Sequence, residues 1–495
     1  MAMGRFRGTW DTSARRNLRR VLVVGAGRAG VAAAEELRRQ GFGGEITVMC
    51  DEQDAPYDRP SCSKGLLTGH KRPKDARMPV QDDLAIHWAM GRTAAHLDPG
   101  RRVVTADTGE EFGYDGLVIA TGARPVWPAG WPTGEPGLHT LHGLADAWAL
   151  RRALHRARRV AVVGGGLTGC EVACAVRSMA RDCVLIDSRQ QVMSRALGEV
   201  VGQYVTEVVA EDGVRLRLGR RCQRLDRGRR GWVLTLDDGS QETADLVVAT
   251  VGERPDTGWL AGSGLDISDG VLCDEHLRVV GATDVVAAGT VARWPNLRYG
   301  TQPRRVGQWI MALEQGRAAA AALMGSDHPA RPAALVPRFW SEQFGLRIQV
   351  CGEVDGSAEV TVERRRPGRR TAVRAGVLVN YHRDGEQIGV VAVNAVRAFT
   401  TIARGMLAAP VRPMPVPVPV PAGGRSARPY EPAGRGGSLY EPAGPLYEPA
   451  AQPYRPVALP PPELPPGPAA ADEVARVRPR SPRERFATGQ FAAVR

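Results

Sequence analysis

An α/β fold made of two parallel-sheet units, the first split around the second, is predicted for this chain by two features that each occur twice. The first is an apolar strand running into G-x-G-x-x-G and then a helix. It occurs at Val21-Leu22-Val23-Val24-Gly25-Ala26-Gly27-Arg28-Ala29-Gly30 and again at Val160-Ala161-Val162-Val163-Gly164-Gly165-Gly166-Leu167-Thr168-Gly169. The second is an apolar strand that ends in small residues and Arg-Pro, at Leu117 to Pro125 and again at Leu246 to Pro255. In such loops the glycines permit a tight turn, close approach of backbone to a pyrophosphate and packing of helix on strand, while the helix N-terminus favours phosphate charge. About twenty residues past each last glycine the next strand ends in an acid, where ribose recognition needs one. Asp51 follows Ile46-Thr47-Val48-Met49-Cys50, and Asp187 follows Val184-Leu185-Ile186. Two complete units in series imply two Rossmann-like dinucleotide-binding domains. One site for a fixed dinucleotide and one for a diffusible dinucleotide means a flavin, FAD, reduced by a nicotinamide.

In chain order, residues 1–18 read as a basic, disordered leader and 19–124 as the first part of the FAD-binding domain. The Pro/Trp-rich piece from Pro125 to Pro136 reads as a linker into the NAD-binding domain, 125–244. The segment starting at Asp245 repeats the earlier strand-to-Arg-Pro design, so the chain is expected to return there to the FAD domain, 245–330, completed by a helix from about Gly307 to Leu323. Alternating strands such as Leu346-Arg347-Ile348-Gln349-Val350 mark a C-terminal α+β domain, 331–407. Residues 408–495, with Pro-Val alternation and three Tyr-Glu-Pro-Ala copies, read as a disordered Pro-rich tail.

Composition narrows the function. The 495 residues exceed one core, and no apolar run reaches the roughly twenty residues of a membrane helix. The net charge of +13 is spread over scattered arginines with no aromatic-interleaved patch, so nucleic acid is not expected and an acidic protein partner fits better. Arg15-Arg16 and Arg19-Arg20 imitate a twin-arginine export signal, but the apolar stretch behind them is the first glycine loop, so a cytoplasmic location is expected. The eight cysteines contain no C-x-x-C pair and no zinc spacing, and Cys170 and Cys174 read as packing residues.

From Leu18 to Met406 the chain resembles the FAD-dependent NAD(P)H:ferredoxin/rubredoxin reductases of the pyridine nucleotide-disulfide oxidoreductase superfamily. Besides the two glycine loops, the resemblance rests on Pro56-Tyr57-Asp58-Arg59-Pro60-Ser61-Cys62-Ser63-Lys64, which is similar to the family's P-Y-x-R-P-P-L-S-K, and on Phe339-Trp340-Ser341-Glu342-Gln343, similar to its F-W-S-x-Q. It implies electron transfer from NADH or NADPH through FAD to a small acidic ferredoxin or rubredoxin that feeds an oxygenase, by a monomer or homodimer. It places Gly25, Gly27, Ala29 and Gly30 at the FAD pyrophosphate, Asp51 at its adenosine ribose, and Ala94 and Arg124 among its other contacts. Gly164, Gly166 and Gly169 would cradle the nicotinamide cofactor. Lys64 is implied beside the flavin ring with Glu171 facing it, a cation and its counter-charge near a flavin that becomes negative on reduction. Trp309 and Trp340 are candidates to line the ring. Asp187 implies NADH over NADPH, because a carboxylate there bonds a free 2′-hydroxyl and repels a 2′-phosphate.

Three positions depart from the pattern. Thr290 stands where the family has an aspartate on the ribityl chain, Gly307 where it has glutamate, and both losses imply a weaker hold on FAD, on the order of 1 kcal/mol for the lost charged bond. Cys62 stands where leucine is usual. A redox cysteine in this stretch would make the chain a flavin-dependent NADH oxidase or disulfide reductase, the competing enzyme reading. A flavin-deficient scaffold that acts through the Pro/Tyr tail is the third.

Overall fold

The computed structural model describes residues 18–80, 82–325, 333–365 and 374–410. The expected leader up to residue 17 and the tail from 411 onward lie outside the described residues.

Continuous Val/Ile/Leu runs form strands buried on both faces, which is what an all-parallel sheet requires. The first sheet orders Val285–Ala287, Gly116–Ile119, Arg20–Val24, Glu45–Cys50 and Ile86–Met90 side by side, all parallel. Val21 sits opposite Ile46 on one side and Gly116 on the other. Helices Arg28–Arg39 and Trp309–Met324 pack against each other over this sheet. Their approach depends on Gly316, where an added Cβ would lie 2.2 Å from the Ala29 carbonyl oxygen.

The second sheet orders Arg215–Leu218, Asp182–Asp187, Arg159–Val163, Leu246–Ala249 and Leu138–Thr140, again all parallel. Leu246–Ala249 therefore belongs to the second unit, which corrects the expected return to the first domain at 245. Each parallel sheet needs its own strand on the far side of the glycine-loop strand, and the two strand-to-Arg-Pro segments each supply one. The return is made by the next residues, where Glu253–Pro255 pairs antiparallel with Ala123–Pro125. The Pro125 to Pro136 piece is likewise more than a linker, since Trp131 is buried in the core of the second unit with its ring edge-on to Trp127 at 6.2 Å.

The C-terminal domain is a five-stranded antiparallel sheet, Arg338–Gln343, Leu346–Gly352, Glu386–Val393, Gly376–Arg383 and Glu359–Arg365 in spatial order, with helix Val396–Ala408 on one face. Its other face is apolar and continues the core of the second unit: Ile348, Val379 and Val391 lie in one cluster with Leu197, Val201 and Val205. The Tyr381 hydroxyl donates to the Leu197 carbonyl at 3.0 Å, which pins the sheet to helix Ser194–Glu211.

The Gly316 contact yields a first test. Gly316→Val must push the two helices apart, so it is expected to lower stability by about 2 to 3 kcal/mol, read as a shift in the denaturant midpoint. A midpoint equal to that of the parent would show that the helices do not touch there.

Candidate functional site

Each glycine loop is closed by protein underneath and open above. Gly25 has φ of +111°, and a Cβ there would lie 2.3 Å from the Ala120 carbonyl oxygen; at Gly30 it would lie 1.9 Å from that of Gly25. The second loop repeats this arrangement, with Gly164 against Thr250 at 2.2 Å and Gly169 against Gly164 at 1.8 Å. At Gly27 and Gly166 a Cβ would meet nothing within 4 Å. These two residues cap helices Arg28–Arg39 and Leu167–Ser178 with no side-chain cap. Free helix N–H groups facing open space, with bare backbone at the rim, fit a pyrophosphate at each loop. Ala29, buried in the first loop, would contact a Cβ placed on Gly289 at 3.0 Å, which brings Thr290 to the same end of the first cradle.

The two strand-terminal acids are held differently. Asp51 receives the Arg124 guanidinium at 2.5 Å, and the same guanidinium reaches Asp256 at 2.8 Å. Burial alone would raise the Asp51 carboxyl, yet Arg124 outweighs it and holds that carboxyl below its ordinary range. An adenosine ribose would thus meet an Asp51–Arg124 pair and not a free carboxylate. Among the described residues Asp187 is held by backbone N–H groups, accepting from that of Gly165 and, at 2.7 Å, from that of Arg189. Ala94 opens the strand Ala94–Asp98, two residues after Arg92, whose N–H donates to the Cys50 carbonyl at 2.8 Å, so it lies near the Asp51 end of the first cradle.

An ion pair joins the first domain to the helix that follows the second loop. Lys64 Nζ stands 2.7 Å from Glu171 Oε1, with Lys64 one-third exposed and Glu171 buried. Glu171 projects from the first turns of helix Leu167–Ser178, and Lys64 immediately precedes the short helix Gly65–Thr68. Two hydroxyls complete the carboxylate. Ser63 donates to Oε2, and Ser341 donates to Oε1 at 2.5 Å. Gln343 in turn donates to the Ser341 oxygen at 3.1 Å. Ser63, Ser341 and Gln343 were not singled out as site residues from the sequence. The signal was present in the motifs, because Ser341 and Gln343 are two apart on a strand and share a face. That same alternation turns Trp340 to the other face, where it is 60% exposed, away from Glu171. Trp309 is half-buried at the start of its helix.

Tyr57 and Arg59 in the same segment both donate to Glu52, each at 2.6 Å. The Tyr57 oxygen accepts from the Leu144 N–H at 3.1 Å, and Arg59 donates to the His142 carbonyl at 3.1 Å, so this segment also fastens the first domain to the second. Cys62 is buried among Tyr57, Leu66, Ala76, Leu144 and Ala147, and burial pushes its thiol up to about 12. Such a thiol has no appreciable thiolate near neutral pH, and it lies in a packed cluster. Cys170 is also fully buried, and Cys174 accepts from the Phe344 N–H at 3.1 Å, a packing and backbone role for both.

Comparison with known proteins follows this geometry. Residues 19–316 match the model of the pyridine nucleotide-disulphide oxidoreductases, and residues 338–418 match the reductase C-terminal domain. The chain is 32% identical over 389 residues to the ferredoxin–NAD(+) reductase component of the biphenyl dioxygenase system of Paraburkholderia xenovorans, covering 78% of this chain and 92% of that one. It is 32% identical to the rubredoxin–NAD(+) reductase of Pseudomonas putida, covering 67% and 86%. Among solved structures, the covalent putidaredoxin reductase–putidaredoxin complex superposes with a TM-score of 0.72 at 26% identity, over 79% of this chain and 93% of that one.

Two outcomes test the site. Glu171→Ala leaves Lys64 and two hydroxyls without their acceptor, and since Lys64 is partly solvated the expected loss is about 1 to 2 kcal/mol by chemical denaturation. An unchanged midpoint would deny the carboxylate its structural part. Cys62 is expected to resist alkylation by iodoacetamide at pH 8 in the native protein, read by peptide mass spectrometry, and modification as fast as that of a free thiol would contradict its burial.

Proposed function

The chain belongs to the pyridine nucleotide-disulphide oxidoreductase family, and we propose that it passes electrons from NADH through FAD to a small acidic ferredoxin or rubredoxin that supplies an oxygenase. The observation that carries this reading is the Lys64–Glu171 pair, a cation of the first domain and its counter-charge on the second loop's helix, fastened to the C-terminal domain through Ser341. FAD, when bound, supplies a centre that takes two electrons together from a nicotinamide and releases them singly to an iron-sulfur protein.

The chain's own residues prepare that exchange. Gly25, Gly27, Ala29 and Gly30 would hold the FAD pyrophosphate and Gly164, Gly166 and Gly169 that of the nicotinamide cofactor, each through free N–H groups and a helix end. Lys64 offers fixed positive charge at the junction of the two sites. Glu171 keeps that charge in place, and the hydroxyls of Ser63 and Ser341 fix the carboxylate's direction, so little has to reorganise when electrons arrive. Asp187 accepts a ribose 2′-hydroxyl and repels a 2′-phosphate, which favours NADH. The net charge of +13 suits an acidic partner. We place the protein in the cytoplasm, as a monomer or homodimer; among the described residues no helix is long and apolar enough to cross a membrane. The buried Cys62 favours an external acceptor over a thiol in the chain.

The purified protein is expected to be yellow, to be bleached by NADH, and to reduce cytochrome c only when a ferredoxin is added. Cys62→Ala is expected to keep that activity; its abolition, or rapid disulfide or oxygen reduction by the parent, would favour the thiol chemistry instead. The value of kcat/KM should be at least tenfold higher for NADH than for NADPH, and Asp187→Ala should narrow the ratio. Equal values for the two donors in the parent would remove Asp187 from that role.

A further inference from the structure

One carboxylate that plays no part in the network above lies against the first cradle. Glu253 opens the short strand Glu253–Pro255, just where the chain returns from the second domain. A Cβ placed on Gly307 would meet Glu253 Oε1 at 3.0 Å and Thr290 Cγ2 at 3.3 Å, so the carboxylate and the threonine border the same small space. Thr290 follows Gly289, which touches Ala29 of the first loop, so this space opens onto that loop. Neither Thr290 nor Gly307 brings charge to it.

The Glu253 side chain forms no hydrogen bond and no ion pair among the described residues. The cations that influence it are engaged elsewhere, Arg305 with Asp269 at 2.8 Å and Arg59 with Glu52 at 2.6 Å. Its side chain is reachable by solvent yet walled by protein, and this burial raises its carboxyl above the ordinary range against the pull of Arg305 and Arg59. A carboxylate that solvent reaches but no protein donor meets, at the edge of a small space, is suited to a ligand that supplies the donors. A pyrophosphate at the cradle would repel it. A sugar-alcohol chain, rich in O–H donors, would complete it.

We propose that Glu253 is the charged acceptor for a hydroxyl of the FAD ribityl chain, standing in for the acids absent at Thr290 and Gly307. This rests on the FAD reading above. It also replaces the expectation that loss of those two acids leaves FAD weakly held, because the carboxylate reaches the same space from a different strand.

The test measures FAD release by the rise in flavin fluorescence on diluting the holoenzyme, the flavin-to-protein ratio as purified, and the thermal midpoint of the FAD-free protein. Glu253→Ala is expected to weaken FAD about tenfold, the loss of one charged hydrogen bond, and Glu253→Gln several-fold. The FAD-free midpoint of Glu253→Gln should equal or exceed that of the parent, because the substitution removes a charge that no protein donor stabilises. The double variant Glu253→Ala with Gly307→Glu returns a carboxylate to the space from its other side, and should recover most of the affinity. If the parent binds FAD but the two single variants bind it equally well, the proposal fails and the FAD reading stands. A FAD-free midpoint lowered by Glu253→Gln, or no recovery in the double variant, would assign Glu253 a structural part and overturn the proposal as well. A parent that binds no FAD at all would overturn the underlying reading.

Discussion

The arrangement of the three domains turns on one buried carboxylate. Glu171 is ionisable and almost fully enclosed, and such a group is tolerated only with donors around it. Three separate pieces of chain meet at it: it sits on the second domain's loop helix, and its donors are Ser63 and Lys64 from the first domain and Ser341 from the C-terminal sheet. Moving any one domain strips the carboxylate of a partner, so the least costly arrangement is the one in which all three converge. Convergence also brings the Lys64 ammonium of the first domain onto the helix that opens at the second domain's glycine loop.

Further contacts carry the same constraint outward. Glu353, buried just past the strand Leu346–Gly352, receives Arg304 from the first domain and, at 3.0 Å, Arg383 from the end of the strand Gly376–Arg383. The C-terminal sheet shares one apolar cluster with helix Ser194–Glu211. Two connections link the first domain to the second, and they run together as the antiparallel pair Ala123–Pro125 and Glu253–Pro255. Paired backbone limits independent hinge motion, since bending one connection breaks the hydrogen bonds of the other. Arg124 sits on this ribbon and grips Asp51 and Asp256, so the crossing is tied to the first cradle.

Much of this was legible in the sequence. The glycine loops and their acids follow from local rules, because turn geometry and helix-end charge are properties of a few adjacent residues, and the Lys64–Glu171 contact came with the resemblance. What the sequence left open was tertiary assignment. Leu246–Ala249 reads as a buried strand, but alternation says nothing about which sheet receives it, and the Arg-Pro that follows so closely drew it toward the wrong domain. Ser63 and Ser341 look like ordinary hydroxyls until a carboxylate on a third segment is placed between them. Glu253 lies beside Arg254 and is marked by no motif of its own; only the fold shows that its oxygen borders Gly307.

The two cradles are near copies in backbone, yet their acids are braced in different ways, and the difference matches what each is asked to hold. Asp51 is gripped by a guanidinium that is itself tied to Asp256, so charge and position are fixed by long side chains from the interdomain ribbon. A cofactor bound against that pair would have to disturb an ion-pair network to leave, which suits a dinucleotide that stays. Asp187 is held by two main-chain N–H groups of its own domain, at Gly165 in the loop and Arg189 just beyond the strand, and among the described residues no side-chain cation bonds it. Nothing in that bracing has to break when a ligand departs. The second loop thus orients its acid within its own domain, while the first ties its acid through Arg124 to the crossing between the domains.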